Sequence, residues 1–367
     1  MHSKNFYCFE CRHVFPLTEI MFECADCGGP LDIEYDYSEI KKNLRRKDFL
    51  EKPISHWKYA AFLPITRKEK IVSLKEGNTP LIKSVSQENV FFKFEGLNPT
   101  GSFKDRGSTV EISKALELGI KQVYCASTGN MGASIAAYCA RAGIRATIVV
   151  PEMAEDRKVK QMIAHNARVK KISGDYTDAL NLVRRTRKQK HAYLVGDYPF
   201  RGEGEKSVGF EIAEQLGWKT PKQIICPMGN GTLVFALFKA FRELKTTGFV
   251  KSAPRMIGVQ AENCAPIAKA FDSGKGIQAI RNPKTIATAI ACGNPVDGIM
   301  ALHALKKSNG CAVTVPDKET LVAQKALARQ GIYAEPSGAI AFAALKKTGA
   351  EGTTIAIVTG HGLKSDF

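Results

Sequence analysis

Apolar residues along most of the chain follow two alternating patterns. Short apolar runs rich in β-branched residues predict buried strands, and longer runs with apolar residues on one face predict helices. The predicted strands occupy residues 121–127, 144–150, 223–228, 255–260 and 353–359. The predicted helices occupy residues 131–142, 232–244, 317–330 and 339–347, and Gly143 is the predicted C-cap of the first. Strands that alternate with helices in this way favour mostly parallel sheets covered by helices, an α/β fold.

Length and composition refine this picture. The 367 residues suit two α/β lobes and a small appended unit at residues 1–37. At 44% hydrophobic and 24% charged, the composition is that of a globular protein. The sequence has no apolar stretch of about 18 residues, so we expect no membrane span. The N-terminus lacks the basic-then-apolar pattern of a signal peptide, so a cytoplasmic location is expected.

The formal net charge of +17 raises nucleic acid or a membrane surface as partners. The basic residues are spread over many segments, and the densest runs, residues 45–47, 170–171 and 184–190, have apolar neighbours. This spread is more typical of solvated helix faces, so we expect neither nucleic acid nor a membrane as partner. A positive field also raises the encounter rate with anionic substrates.

Four of the ten cysteines lie close together at the start of the chain. Cys8 and Cys11 form one Cys-x2-Cys pair, and Cys24 and Cys27 form a second. Two such pairs can close a tetrahedral zinc site on two hairpin turns. With four protein ligands the zinc would be structural. The alternative is four reduced thiols on a ribbon without metal.

The segment Lys93–Gly107 contains a strong turn, Asn-Pro-Thr-Gly, followed by a predicted helix start at Ser-Phe-Lys-Asp. Lys104 follows an aromatic residue, Phe103, and a lysine desolvated there could act as a neutral amine in Schiff-base chemistry. From the residues alone, an ordinary solvated lysine fits this position better.

The string GLNPTGSFKDRG at residues 96–107 resembles the signature of threonine synthases. These enzymes belong to the tryptophan-synthase-β-like group, which uses pyridoxal phosphate (PLP). The resemblance extends over essentially the whole chain, including the cysteine-containing start, the segment Glu76–Pro80 and the closing segment Thr359–Lys364. It implies the two-domain fold type II architecture with a zinc-ribbon-like unit at residues 1–37. The large PLP-binding domain would comprise residues 38–107 and 197–367, and the small α/β domain residues 108–196.

The resemblance also implies roles for individual residues. Lys104 would bind PLP covalently and move protons during the reaction. Two strand-to-helix loops would bind anions, because helix N-termini attract negative charge. The first loop, Ser127, Thr128 and Gly129, would hold the substrate carboxylate, and Asn130 the ring hydroxyl of PLP. The second loop, Gly229, Asn230, Gly231 and Thr232, would hold the PLP phosphate. Thr359 would meet the pyridine nitrogen.

The implied reaction converts O-phospho-L-homoserine and water to L-threonine and phosphate, by γ-elimination followed by addition of water at Cβ. Arg201 lies in a segment that resembles the substrate-phosphate region of the family, and guanidinium pairs with phosphate in a bidentate manner. It is therefore the candidate phosphate clamp, with Lys206 as a second candidate. Relatives are commonly dimers, so a homodimer is expected.

Two departures from the family pattern lie near the presumed substrate phosphate. Met131 stands where relatives often have threonine, and the turn at Gly196-Asp197 replaces a hydroxyl-bearing sequence. Both departures leave the expectation of bound PLP unchanged, but they keep other substrates as alternatives. A cysteate synthase-like replacement on O-phosphoserine and a serine/threonine dehydratase are the alternative enzymes. A non-catalytic zinc-ribbon protein that binds nucleic acid is the alternative outside enzymes.

Overall fold

The computed structural model describes residues 2–50, 52, 55–190, 192–196 and 199–365. In chain order, strands β1–β13 span Ser3–Cys8, Val14–Pro16, Leu31–Tyr35, Leu81–Lys83, Val90–Phe94, Gln122–Ala126, Arg145–Pro151, Arg168–Ile172, Tyr193–Leu194, Gln223–Pro227, Arg255–Ala261, Cys311–Val315 and Thr354–Val358.

Helices α1–α14 span Tyr37–Asn43, Lys47–Leu50, Lys104–Glu117, Asn130–Ala142, Asp156–Ala164, Tyr176–Lys190, Pro199–Glu205, Ser207–Gln215, Thr232–Thr246, Pro266–Ser273, Gly298–Lys307, Asp317–Ala328, Pro336–Ala343 and Leu345–Thr348. Short 3-10 helices occupy His56–Phe62, Lys68–Lys70, Glu95–Leu97, Thr288–Ile290 and Gly362–Lys364.

The larger of two α/β sheets has the strand order β12-β11-β10-β13-β5-β4. Its pairs are parallel except for β4, which runs antiparallel to β5 at the edge. Every residue of β10 and β13 is buried, as expected for central parallel strands covered on both faces. The sheet therefore brings the carboxyl ends of β10 and β13 side by side.

The second α/β sheet is parallel and has the order β8-β7-β6-β9. Its strands lie between residues 122 and 194, and the strands of the larger sheet lie on either side of that range. The α/β fold expected from the pattern is confirmed. The domain boundaries at 107/108 and 196/197 stay predictions.

The N-terminal strands form a small antiparallel sheet of order β2-β1-β3. Phe6 on β1 is fully buried, and its ring packs edge-on against that of Phe200 in α7, with centroids 5.4 Å apart. Lys239 on α9 donates to both Asp32 and Glu203 at 2.5 Å, and these buried charges join β3, α7 and α9. This N-terminal sheet, β1–β3, is called the ribbon below. It is thus fixed to the rest of the protein by an aromatic contact and an ion cluster.

One predicted helix is divided into two in the structure. The sequence pattern predicts a single helix over residues 339–347, whereas α13 begins at Pro336 and is separated from α14 at Ala344. Pro336 occupies the first turn, where its fixed φ suits a helix and its missing N–H costs nothing. Within the described ranges, no helix is both long and apolar enough to cross a membrane.

Arg106 connects three elements through a fully buried charge network. Its guanidinium binds Glu95 at 2.7 Å and Glu211 at 3.0 Å, and Lys93 binds Glu211 at 2.5 Å. Although burial opposes the charged form, Arg106 and Lys93 hold the pKa of Glu211 well below its usual range. The arginine of the SFKDR string therefore holds α3 to the 3-10 helix Glu95–Leu97 and to α8.

Replacing Arg106 should strongly destabilise the fold. Arg106→Met leaves two buried carboxylates facing a single cation, and breaking a buried pair from one side costs about 3–5 kcal/mol. Urea denaturation should show this loss as a lower midpoint. The matched control is Arg255→Met, which removes a pair with Glu351 that is 33% and 50% exposed, and it should cost less than about 1 kcal/mol. Equal midpoints for the two variants would contradict a structural role for the network.

Candidate active site

The loop before Lys104 is fixed to the end of β13. Gly101 adopts a left-handed φ of 85° and donates its N–H to Asn98 at 2.8 Å, which closes the predicted turn. Ser102 then forms a bridge with Gly360, and the N–H of Phe103 donates to the carbonyl of Thr359 at 3.0 Å. These bonds place Lys104 at the carboxyl end of β13, as the first residue of α3.

Asp105 holds the same loop from the other side. Its carboxylate accepts from the N–H of Thr100 at 2.7 Å and from the hydroxyls of Thr100 and Ser134. Burial raises the pKa of Asp105 to about 6, although these hydrogen bonds oppose the rise. Since Ser134 belongs to α4, Asp105 links the lysine loop to the helix that carries Asn130.

Lys104 lies between an aromatic ring and a carboxylate. Its Nζ is 4.4 Å from the centre of the Phe103 ring and 3.2 Å from Oε1 of Glu205. The lysine side chain is 18% exposed, whereas Glu205 is fully buried. The amine of Lys104 is thus partly exposed, while the buried carboxylate of Glu205 contacts it from the protein interior. Glu205 was not among the residues expected from the sequence.

A cavity of about 70 Å³ opens above Lys104, between the two α/β sheets. Its walls bring together ten of the residues singled out in the sequence: Phe103, Lys104, Ser127, Thr128, Asn130, Gly229, Asn230, Gly231, Thr232 and Thr359. Tyr176 and Glu335 also contribute, as does Met131, one of the two departures from the family pattern. Asp197 of the second departure lies outside the described residues.

The loop from β6 to α4 requires glycine. Gly129 has a φ of 153°, and a Cβ there would collide with the side chain of Lys158. The hydroxyl oxygen of Ser127 accepts the N–H groups of Gly129 at 2.9 Å and Gly132 at 2.8 Å, and so fixes the first turn of α4. The cavity wall here is the N-terminus of a 13-residue helix, which favours anions.

Asn130 reaches across the cavity wall to Glu335. Its Nδ2 donates to Oε1 of Glu335 at 2.6 Å, while its Oδ1 is buried and has no hydrogen-bond partner among the described residues. Glu335 also lies 3.1 Å from the ammonium of Lys158. No role for Glu335 was expected from the sequence, because Glu335 and Asn130 are 205 residues apart in the chain.

The loop from β10 to α9 lies at the opposite wall. Gly231 has a φ of 95°, and a Cβ there would lie 2.7 Å from that of Ala301. In the part of the chain that the structure describes, the N–H groups of residues 229–232 donate no hydrogen bond to a backbone carbonyl. The loop thus offers a row of donors at the N-terminus of a 15-residue helix, which is an arrangement that binds phosphate.

The side chains of this loop have other partners. Oδ1 of Asn230 accepts from the thiol of Cys292 at 2.9 Å, and Nδ2 donates to Tyr176 at 3.2 Å. Thr232 donates its hydroxyl to Asp297 at 2.6 Å. Asn230 therefore shapes the loop with its side chain, and only its backbone N–H remains to face an anion. The sequence alone did not show whether Asn230 would face the anion with its side chain or with its backbone N–H.

Arg201 lies behind Lys104 and outside the cavity wall. It is fully buried, donates to Glu111 at 2.5 Å and to Ser108 at 3.1 Å, and reaches the carbonyl of Lys104 at 3.3 Å. This placement gives its guanidinium carboxylate and backbone partners, whereas the sequence suggested a substrate phosphate.

Lys206 lies away from the cavity altogether. Its ammonium binds Glu203 at 2.5 Å and Glu243 at 2.9 Å and stacks 4.1 Å above the ring of Tyr35. Its charge is therefore neutralised inside the ion cluster formed with Glu203 and Glu243, and a contact between Lys206 and substrate stays a prediction.

Residues 72–360 match the family described as pyridoxal-phosphate dependent enzyme. Threonine synthase from Methanocaldococcus jannaschii is 43% identical over 97% of this chain and 92% of its own length. Threonine synthase from Methanosarcina acetivorans is 45% identical over 97% of this chain and 91% of its length. The chain belongs to the threonine synthase branch of the pyridoxal-phosphate-dependent enzymes. The family resemblance seen in the sequence is thereby confirmed.

Solved structures of proteins with other activities share the architecture. Maize serine racemase has a TM-score of 0.69 and 24% identity, with 79% of this chain and 89% of that chain covered. The processed form of threonine deaminase isoform 2 from Solanum lycopersicum has a TM-score of 0.66 and 20% identity, with 94% and 93% covered. The fold alone is therefore common to enzymes with different named activities, and the choice among them rests on sequence.

The residues of the cavity fit pyridoxal phosphate. An aldehyde requires an amine, which Lys104 supplies, and a phosphate requires donors, which residues 229–232 supply. The unpartnered Oδ1 of Asn130 can accept a hydrogen bond from a ring hydroxyl. Each chemical group of the cofactor thus has a counterpart among groups that otherwise lack a partner or face the cavity.

Gly231→Ala should weaken cofactor binding. The added Cβ meets Ala301 and the carbonyl of Asp297 and forces an unfavourable φ, at a cost of about 1–3 kcal/mol at the loop. Spectroscopic titration of the cofactor-free protein with pyridoxal phosphate should show an affinity at least tenfold lower. The control is Gly217→Ala, at φ 65° with no atom within 4 Å of the added Cβ, which should strain the backbone but leave the affinity unchanged. Equal affinities would exclude the loop as the phosphate site.

Proposed function

We propose that this protein is a threonine synthase that converts O-phospho-L-homoserine and water to L-threonine and phosphate. The proposal rests chiefly on 43–45% identity to threonine synthases of two archaea over 97% of the chain. The position of Lys104 in a cavity with two anion-binding helix N-termini supports it.

Lys104 is the proposed covalent attachment point and proton carrier. Nζ of Lys104 would hold the cofactor covalently, and as a free amine it would accept and return protons at the substrate carbons. Bound pyridoxal phosphate supplies an electron sink that makes those carbon-bound protons acidic. The fixed loop from Gly101 to Asp105 keeps the amine within reach of successive carbons, because hydrogen bonds hold the loop on both sides.

Thr359 and Asn130 are the proposed contacts to the cofactor ring. A threonine hydroxyl can donate a hydrogen bond to the pyridine nitrogen but cannot deliver a full proton, so it tempers the electron sink. Thr359 lies at the end of β13, 4% exposed, at the cavity wall. Asn130 would bind the ring hydroxyl through Oδ1 while its Nδ2 stays on Glu335.

The two ends of the substrate need separate anion sites. The Ser127–Gly129 loop is the proposed carboxylate site, because it begins α4 and its backbone is held open by glycine. Arg201 remains the proposed partner of the leaving phosphate, whose growing charge must be stabilised. To serve there, its guanidinium has to exchange Glu111 or Ser108 for substrate, both of which it contacts at the base of the site.

The four N-terminal cysteines are the proposed ligands of a structural zinc ion. All four sulfur atoms lie within 4.8 Å of one another, with Cys8 and Cys27 at 3.4 Å and Cys11 and Cys24 at 3.6 Å. Zinc–sulfur bonds of about 2.3 Å in a tetrahedron set sulfurs about 3.8 Å apart. The four thiolates would fill the coordination shell, so the metal would stabilise the ribbon and take no part in the reaction.

Further properties implied by the resemblance are proposed with the function. These are a cytoplasmic location, assembly as a homodimer, the absence of a nucleic-acid or membrane partner, and the division into a ribbon, a large domain and a small domain.

Phosphate release from O-phosphohomoserine should be accompanied by an equal amount of threonine. The assay compares this substrate with O-phosphoserine plus sulfite and with threonine alone, using protein loaded with pyridoxal phosphate. Lys104→Ala should abolish turnover and the visible absorption of the bound cofactor, whereas Lys83→Ala, an exposed lysine on β4, should change neither. Turnover only with O-phosphoserine and sulfite would identify a cysteate synthase-like enzyme, and an oxo acid from threonine would identify a dehydratase.

Purified protein should contain one zinc ion per chain. Elemental analysis of Cys11→Ser should show substoichiometric zinc, and chelation should lower the melting temperature of the unsubstituted protein, because a ligand bound only by the folded state stabilises it. Cys311→Ser, on β12 and remote from the cluster, is the control and should retain the full metal content. Zinc at background level in the unsubstituted protein would refute the site.

A further inference from the structure

Glu205 is the last residue of α7, and its carboxylate lies directly behind Lys104. Its Oε1 is 3.2 Å from Nζ of Lys104 and 3.5 Å from the guanidinium of Arg201. Its Oε2 is buried and has no hydrogen-bond partner among the described residues. Burying a carboxylate with one oxygen unused is costly. The cost of burying Glu205 in this way therefore points to a function of its carboxylate that offsets the cost.

The other groups around Glu205 do not account for it. Arg201 is held by Glu111 at the shorter distance of 2.5 Å. Cys226 on β10 is kept as a neutral thiol, since burial and the negative charge of Glu205 both raise its pKa. Lys104 is thus the cation whose shortest carboxylate contact is Glu205.

The charges on the neighbouring elements face a different carboxylate. Lys239 on α9 and Tyr35 on β3 both bind Glu203, two residues earlier in α7. Lys206, the next residue after Glu205, binds Glu203 and Glu243. The ion cluster that fixes the ribbon therefore leaves Glu205 to the lysine loop.

We propose that Glu205 is a positioning residue for Lys104, holding the lysine amine behind the cofactor site and stabilising it whenever it carries the extra proton. The inference rests on the proposed role of Lys104 as the cofactor lysine, but not on the identity of the substrate. It concerns the two moments at which Nζ is not bonded to the cofactor: before loading, and after the substrate amine has displaced it.

A lysine amine is reactive only when neutral, whereas a nearby carboxylate favours the ammonium. In loading, Nζ attacks the aldehyde carbon of pyridoxal phosphate, a carbon–nitrogen double bond forms, and the carbonyl oxygen leaves as water. An ammonium must first give its proton to solvent. The negative charge of Glu205, 3.2 Å from Nζ, opposes the loss of this proton, and in turnover Glu205 keeps the four-carbon side chain pointed at the site.

The first test measures cofactor capture by the cofactor-free protein. The rate at which visible absorption appears after mixing with pyridoxal phosphate is recorded from pH 6 to 10. Glu205→Gln should move the midpoint of this profile down by about one pH unit, because the neutral amine then persists to lower pH. Glu214→Gln, which removes the carboxylate from another lysine pair, Lys58 at 2.6 Å, should leave the midpoint in place.

Glu205→Asp keeps the charge but shortens the side chain, so its midpoint should lie between those of Glu205→Gln and the unsubstituted protein. In turnover, Glu205→Gln should lower kcat at least tenfold with KM changed less than threefold. An unshifted capture midpoint in both Glu205 variants, or an equal shift in Glu214→Gln, would overturn the proposal. Capture by Lys104→Ala would instead refute the cofactor lysine itself, so the two failures are distinguishable.

Discussion

The position of one short backbone segment governs the site. Residues 101–105 are bonded to the end of β13 through the Ser102–Gly360 bridge and the Phe103–Thr359 hydrogen bond. The segment is thus attached to β13, a central strand that is buried along its whole length. Lys104, Thr359 and the wall that carries Asn130 all take their positions from this attachment.

Much of the polar interior serves to keep that segment in register with its surroundings. Asp105 ties it to α4, Arg106 ties it to the 3-10 helix Glu95–Leu97 and to α8, and Arg201 runs from α7 to the carbonyl of Lys104. Asp105 and Arg106, two charged residues of the signature string, thus have structural roles. A buried charge of this kind is costly unless fully paired, and the pairing specifies one arrangement of helices around the lysine.

The sequence predicted strands β6, β7, β10, β11 and β13 and helices α4, α9 and α12, because apolar periodicity and glycine-containing turns are local signals. It also singled out Lys104 as a candidate site residue, because the string at residues 96–107 was specific enough to identify the family. It could not predict that Arg201 and Lys206 face buried carboxylates, or that Glu335 binds Asn130 across 205 residues. Those partners are brought together only by packing between elements far apart in the chain, and no local pattern carries that information.

The attachment of the ribbon bears on the order in which this protein can be made. The ribbon is synthesised before Phe200, Glu203 and Lys239, to which it is fixed and which follow it by about 200 residues. At roughly 5–20 residues per second, that is a delay of about 10–40 seconds. During this interval Phe6 and Asp32 lack these partners, so the ribbon reaches its final attachment only after α7 and α9 have been synthesised.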